Sequence, residues 1–463
     1  MHQLQMGMDR SVWKTLAILS SIATMAMYAE TMLIPAIPDL IEEFRLSYSI
    51  APWILTIYLI TGAVITPICG RLADMYGRKR MLLLILLIYF VGLLIGLSSV
   101  DIRMLLLARS MQGVGIAIFP VAFSIVREQF PREKMAIGQG IISSMFATGS
   151  MLGLLIGASI IHHFGWRAAF LSIMPVTILL ILMIWRFIDI KRVDVKQGID
   201  VKGSIMLAVL IVSFLLALTS LEDSSLADIR WIMFSLSAIS MILLILIEKR
   251  TENPLLNLNL LLDRSVLASA IMIMLVGLSM FMVFQTIPIL VKSPIPFGFG
   301  GDELDVASIQ LPFSLVLLVF GPLSGFMISR LGSIRPVIFG SIVTALAFLA
   351  MLLYHSSQFL LASTLMLVAV GLSFINIGTM NIIILRVPSE QSGTLLGMVS
   401  LIRIIGSSIG PVIAGVLMQI FSVGDEMGNI FPSALAYDMI FLTALLISLL
   451  LIILTLVLRS RLT

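Results

Sequence analysis

Glu30, Arg109 and Gln112 are polar side chains set inside long apolar runs of the sequence. A carboxyl among apolar neighbours is suited to proton exchange, because loss of water disfavours its charged form. It can also attract a cationic solute, and competition between cation and proton for one carboxyl is itself an exchange reaction. A guanidinium in such surroundings needs partners, and the five donors of Arg109 suit a carboxylate or backbone carbonyls. Gln112 follows one turn later on the same helix face. Arg403 lies in another apolar run, where helix packing or a lipid phosphate accounts for it as well as a solute does.

A second group has helical spacing. Asp74 follows Gly70 by one turn, Arg78 follows Asp74 by another, and Gly77 lies between them. Glu128 is the expected partner of Arg78. Together they read as a cytoplasmic latch, made when the protein opens outward and broken when it opens inward, with Gly70 permitting close approach to the facing half. Tyr28, Gln285, Asn376 and Asn381 are further polar residues in apolar segments, placed to line a pocket or to tie helices together. His2, His162, His163 and His355 are read as loop residues without ligand spacing, so no metal is expected. Gly298, Gly300 and Gly301 follow no strand and do not make a nucleotide fingerprint. No phosphate-binding GxxxxGK[ST] loop occurs. The expectation is therefore no cofactor and no ATP, with a proton gradient as the energy source; one pH unit supplies about 1.4 kcal/mol per proton.

The elements that must hold these residues follow from composition. The 463 residues are 59% hydrophobic and 12% charged, with a mean hydropathy of +1.13. A soluble domain has about 25% charged residues. An ordinary soluble enzyme, a disordered chain and a disulfide scaffold (Cys69 is the lone cysteine) are excluded. Fourteen segments, from 15–37 to 435–458, are long and apolar enough to cross a bilayer as helices. An even number puts both termini on one side. Of 29 Lys and Arg, 22 fall on that side, five on the other, and Arg109 and Arg403 within spans. The positive-inside rule makes the terminal side cytoplasmic. The basic excess thus records orientation, not nucleic-acid binding.

The chain also repeats itself. Pro67, Gly70, Gly77 and Arg80 return 255 residues later as Pro322, Gly325, Gly332 and Arg335. Gly149, Gly153 and Gly157 correspond to Gly406, Gly410 and Ala414 at an offset of 257, with Pro411 beside the second glycine of the later copy. Two pairs at nearly one offset predict two six-helix halves, 13–190 and 263–460, with two extra helices inserted in the linker 191–262. Such repeats form rocking halves around a midplane site, and glycines one turn apart let a neighbouring helix approach closely.

These residues resemble the major facilitator superfamily, in particular its fourteen-helix drug:proton antiporters. Gly70–Arg80 is similar to the superfamily's loop between helices two and three. Leu107–Gly115 is similar to its fourth-helix motif, and Gly149–Gly157 to its fifth-helix antiporter motif. Two departures stand out: Leu154 occupies a position usually held by Pro, and Ala29 a position where many multidrug members carry the acid. The acid at Glu30 matches the spacing of tetracycline exporters instead. The resemblance implies an all-α, polytopic, non-enzymatic antiporter, expected as a monomer in the plasma membrane. It would export amphipathic or cationic small molecules by alternating access. Glu30, Arg109 and Gln112 would couple protons to solute. The alternative is a metabolite permease or symporter of the same fold.

Overall fold

The structure is a computed structural model that describes residues 10–130, 132–188, 200–222, 227–251, 254, 263–385, 392–425 and 429–462. His2 and the expected boundaries at 190 and 262 lie outside these residues. The first eight helices are α1 (Arg10–Thr31), α2 (Ile37–Phe44), α3 (Trp53–Tyr76), α4 (Arg78–Leu97), α5 (Ile102–Gly113), α6 (Ile118–Gln129), α7 (Arg132–Phe164) and α8 (Trp166–Phe187). Next come α9 (Val201–Thr219) and α10 (Ala227–Arg250). The remainder are α11 (Arg264–Lys292), α12 (Glu303–Leu331), α13 (Ile334–Leu353), α14 (Gln358–Leu385), α15 (Ser392–Ile420) and α16 (Ala434–Leu462). Among the described residues thirteen helical stretches are long and apolar enough to cross a membrane, and α7 adds a shorter apolar stretch, Thr148–Phe164.

Two expected spans are not continuous helices. The first breaks after Thr31, passes through a 3₁₀ turn at Ile34–Ala36 and resumes as α2. Pro35 accounts for the break: its ring has no N–H to offer the Thr31 carbonyl and collides with it. The fourth span is interrupted by the 3₁₀ turn Val114–Ala117, where Gly113 and Gly115 weaken the helix. The all-helical expectation also needs one addition, a small antiparallel hairpin of β1 (Ser422–Gly424) and β2 (Ile430–Pro432) between α15 and α16. The repeated glycines Gly77 and Gly332 end α3 and α12 with φ of 99° and 74°, values that side chains rarely adopt.

One large apolar core is built from α1–α8, around Leu19, Ile22, Leu86 and Phe170. Another is built mainly from α11–α16, around Phe348, Leu372 and Phe441, and it takes in Ile34, Ile37, Tyr48 and Leu55 from the first group. At the seam, Tyr58, Leu59, Ala63 and Ile116 meet Phe281 and Ile404. The inserted pair straddles this seam: Leu207, Ile211 and Leu215 of α9 pack with Trp53 and Ile60 of α3 and with Val412 and Val416 of α15. Trp53 Nε1 donates to Thr219 Oγ1 at 3.2 Å. Outward-facing Trp231, Ile232 and Ile239 of α10 are exposed, as lipid contact requires.

The seam is fastened unevenly. On the side away from the termini (the far side), Tyr48 N donates to Gln419 Oε1 at 2.9 Å and Tyr48 Oη to the Ile430 carbonyl at 3.0 Å. Thr56 Oγ1 donates to the Ser408 carbonyl at 3.3 Å, and Lys292 bonds Asp39 and Glu303. Toward the termini, a methyl group added at Gly70, Gly321 or Gly325 would meet nothing within 4 Å. The far side is shut, while toward the termini one face of α3 and one of α12, at these glycines, border open space.

Candidate functional site

The break in α1 creates the site. A helix end leaves carbonyls without partners, and Arg109 of α5 takes them. Its Nη1 donates to the Ala29 carbonyl at 2.8 Å and its Nη2 to the Glu30 carbonyl at 3.4 Å. Nε donates to the Ile54 carbonyl of α3 at 3.1 Å, and Nη1 also reaches Gln112 Oε1 at 2.9 Å. The guanidinium lies 4.6 Å from the centroid of the Tyr58 ring, within cation–π range. Tyr58 Oη donates in turn to the Ala26 carbonyl at 2.9 Å. Arg109 is completely buried. A cation at the negative end of a helix dipole is favourably placed, so one side chain closes α1 and ties it to α3.

Glu30 occupies the last turn of α1 and is half-buried. Arg403 and Arg109 both act on its carboxylate through space. Arg403 comes from α15, across the seam. Arg403 lies close enough for its charge to act on Glu30 across the seam, with no hydrogen bond or ion pair between the two among the described residues. Sequence spacing identified both arginines, but the pairing of residues 373 positions apart is a property of the fold alone. Tyr58 and Tyr89, both fully buried beside Arg109, were missed because a lone tyrosine in an apolar span carries no signal of its own. Gln112 Nε2 and Tyr89 Oη have no hydrogen-bond partner among the described residues.

The other expected pocket residues separate into two kinds. Tyr28 Oη lies 3.3 Å from Ser172 Oγ of α8, and Asn381 Nδ2 donates to Ser333 Oγ at 2.7 Å, so both tie helices together. Gln285 is wholly buried, and neither atom of its amide has a partner among the described residues. One turn away on α11, Phe281 crosses the seam to Tyr58. Gln310, which the sequence reading did not single out, donates from Nε2 to the Phe284 carbonyl at 2.9 Å. Asn376 is half-buried.

The glycine stripes do what their spacing predicts. Side chains at Gly149 and Gly153 of α7 would collide with the α1 backbone at Thr24 and Tyr28, and one at Gly157 with the backbone of Met32 just past the end of α1. Those at Gly406 and Gly410 of α15 would collide with α11 at Met274 and Leu278. Pro411 is buried in α15 beside them.

Gly70 faces open space in this conformation, which is the state in which the latch is expected to be broken. The latch is corrected in one respect. Arg78 does bond Glu128, but both belong to the first group of helices, at the start of α4 and the end of α6. That bond persists here with the terminal side open, so it does not fasten the seam. Asp74 lies in α3, and its side chain falls outside the described residues. The histidine reading also changes. His162 and His163 form the last turn of α7, not a loop. His162 Nδ1 is 3.1 Å from Glu303 Oε2 and 3.6 Å from Asp302 Oδ2, and the ligand atoms of the three lie within 4.8 Å of one another. Lys292 already neutralises Glu303 from its other oxygen, which opposes a metal cation there.

The family profile of the Major Facilitator Superfamily matches residues 19–295 and again 267–462. The chain belongs to this superfamily. It is a multi-pass membrane protein of a transporter family, not an enzyme. This facilitator is 25% identical to the tetracenomycin C resistance and export protein of Streptomyces glaucescens, over 93% of its own length and 79% of that relative's. It is also 25% identical to the multidrug transporter protein MdtP of Bacillus subtilis, covering 88% of this chain and 75% of that one. Among solved structures it resembles a bacterial homologue of the human lysosomal transporter Spinster, in an inward-facing and unoccupied conformation. The TM-score is 0.70 at 15% identity, covering 97% of this chain and 96% of that one, and the likeness concerns the fold.

Proposed function

We propose that this facilitator exports amphipathic or cationic small molecules, of multidrug or tetracycline-like kind, in exchange for protons. Membrane orientation is part of the reading. The terminal side, rich in Lys and Arg, faces the cytoplasm of a plasma membrane, and the open face of the structure is then the inward one. The observation that carries the proposal is Glu30 at the break of α1, with Arg109 on its own half and Arg403 on the other. With the proton off, the Glu30 carboxylate attracts Arg403 across the seam. With the proton on, that attraction is lost and the halves are free to rock. A cationic solute at the same carboxyl would replace the proton. The exporters among the relatives support the solute class.

The experiment is transport into proteoliposomes under an imposed pH gradient, with lumenal pH recorded. Uptake of a lipophilic cation should dissipate the gradient in the parent protein. Glu30→Gln should fold and bind but fail to couple. Cation uptake that leaves lumenal pH untouched would end the antiport reading.

A further inference from the structure

We infer that the far side of the seam carries a second proton site, on His162, whose occupancy fastens α7 to the start of α12 and keeps that side shut. His162 belongs to the first group of helices, and its carboxylate partners Glu303 and Asp302 to the second. The charged groups around it, among the described residues, are these, with Asp305 behind Asp302 and accepting from Asp302 N at 3.1 Å. From α12 come Glu303 and Asp302; Asp302 Oδ1 caps that helix by accepting from Leu304 N and Asp305 N, which leaves Oδ2 toward the imidazole. From α11 comes Lys292, bonded to both Glu303 and Asp39, the latter on α2. His163 is on α7 itself, with Nδ1 at 2.8 Å from the Ser159 carbonyl of its own helix. At the start of α8, Arg167 is held by Glu43 of α2 at 2.8 Å.

The cluster thus sets four carboxylates, Asp39, Asp302, Glu303 and Asp305, against one ammonium. A proton taken from solution by the imidazole adds the missing positive charge at the point where the halves meet. Opening the far side must pull α7 from α12 and leave the imidazole to water. The sign follows from charge: an imidazolium attracts Glu303 and Asp302 across the seam and a neutral imidazole does not, so acid favours the shut state and alkali the open one. Imidazole is the side chain that ordinarily changes charge between pH 5 and 8. His162 is 37% exposed and Asp302 46%, so the effect is that of a partly solvated pair, about threefold in the shut-to-open ratio. Glu30 lies on another helix, and the site works whether or not that residue couples transport.

The test places spin labels at Val100→Cys and Ser356→Cys, exposed far-side positions on opposite halves, with Cys69→Ala and Glu30→Gln as background. Distances are measured in lipid nanodiscs between pH 5 and 8. The Glu30→Gln background removes the acid of the transport proposal, so a surviving slope belongs elsewhere. The shut fraction should fall as pH rises. His162→Gln should be flat at the parent's alkaline ratio, and His162→Arg flat at its acid ratio. No pH response in this background, or a response that survives either replacement, would overturn the inference.

Discussion

Arg109 donates to the carbonyl of Ala29 at 2.8 Å rather than to the side chain of Glu30, the residue after it. The guanidinium therefore fixes the end of α1 and, with it, the position of the acid. The carboxylate remains unclaimed by that hydrogen-bond set.

Arg109→Lys should distinguish positioning from charge. Lysine keeps the charge but cannot reach three carbonyls and an amide in one plane. Each buried carbonyl left unpaired costs about 1–3 kcal/mol. Thermal unfolding in detergent should show a clear loss of stability, with coupled transport reduced more than tenfold. A variant as stable and active as the parent would deny the capping role.

Arg403→Gln should loosen the seam without unfolding either half, because the acid its charge acts on, Glu30, sits on the opposite one. Transport should weaken while the melting temperature changes little. The double variant Glu30→Gln with Arg403→Gln should be no worse in coupling than Glu30→Gln alone, a double-mutant cycle that reads the pair directly.

Gly153→Val should destabilise by about 1–3 kcal/mol, the usual penalty of overpacking, because its side chain would meet the Tyr28 backbone and Thr31 Oγ1. Gly70→Val should leave thermal stability unchanged, since that position faces open space here. If the terminal side closes during the cycle, Gly70→Val should nevertheless slow turnover. Equal melting losses for the two variants would contradict the open terminal side.

Arg78→Ala should alter stability by no more than about 1 kcal/mol, as expected for a partly exposed pair. Its bond to Glu128 lies within one half. Chemical unfolding compared with Glu128→Ala and the double variant would expose a larger coupling if the pair acted as a latch.

Much of the architecture is written along the chain. Lipid leaves helices as the economical way to pair every backbone group, so apolar run length gives the spans. Glycines one turn apart can only mark close helix contact, and Gly149–Gly157 and Gly406–Gly410 make it. Glu30 and Arg109 stood out because a charge in hydrocarbon demands a reason. Local chemistry was thus enough to nominate residues. It did not assign partners. Whether Arg109 grips a carboxylate or a carbonyl depends on where Pro35 breaks α1. Whether Arg403 meets lipid or Glu30 depends on how α15 lies against the other half, and whether His162 is solvated or clasped depends on which side is shut. Those outcomes are set by the packing of segments hundreds of residues apart. A periodic pattern within one helix tells which face is buried, but holds no information about which distant face will cover it.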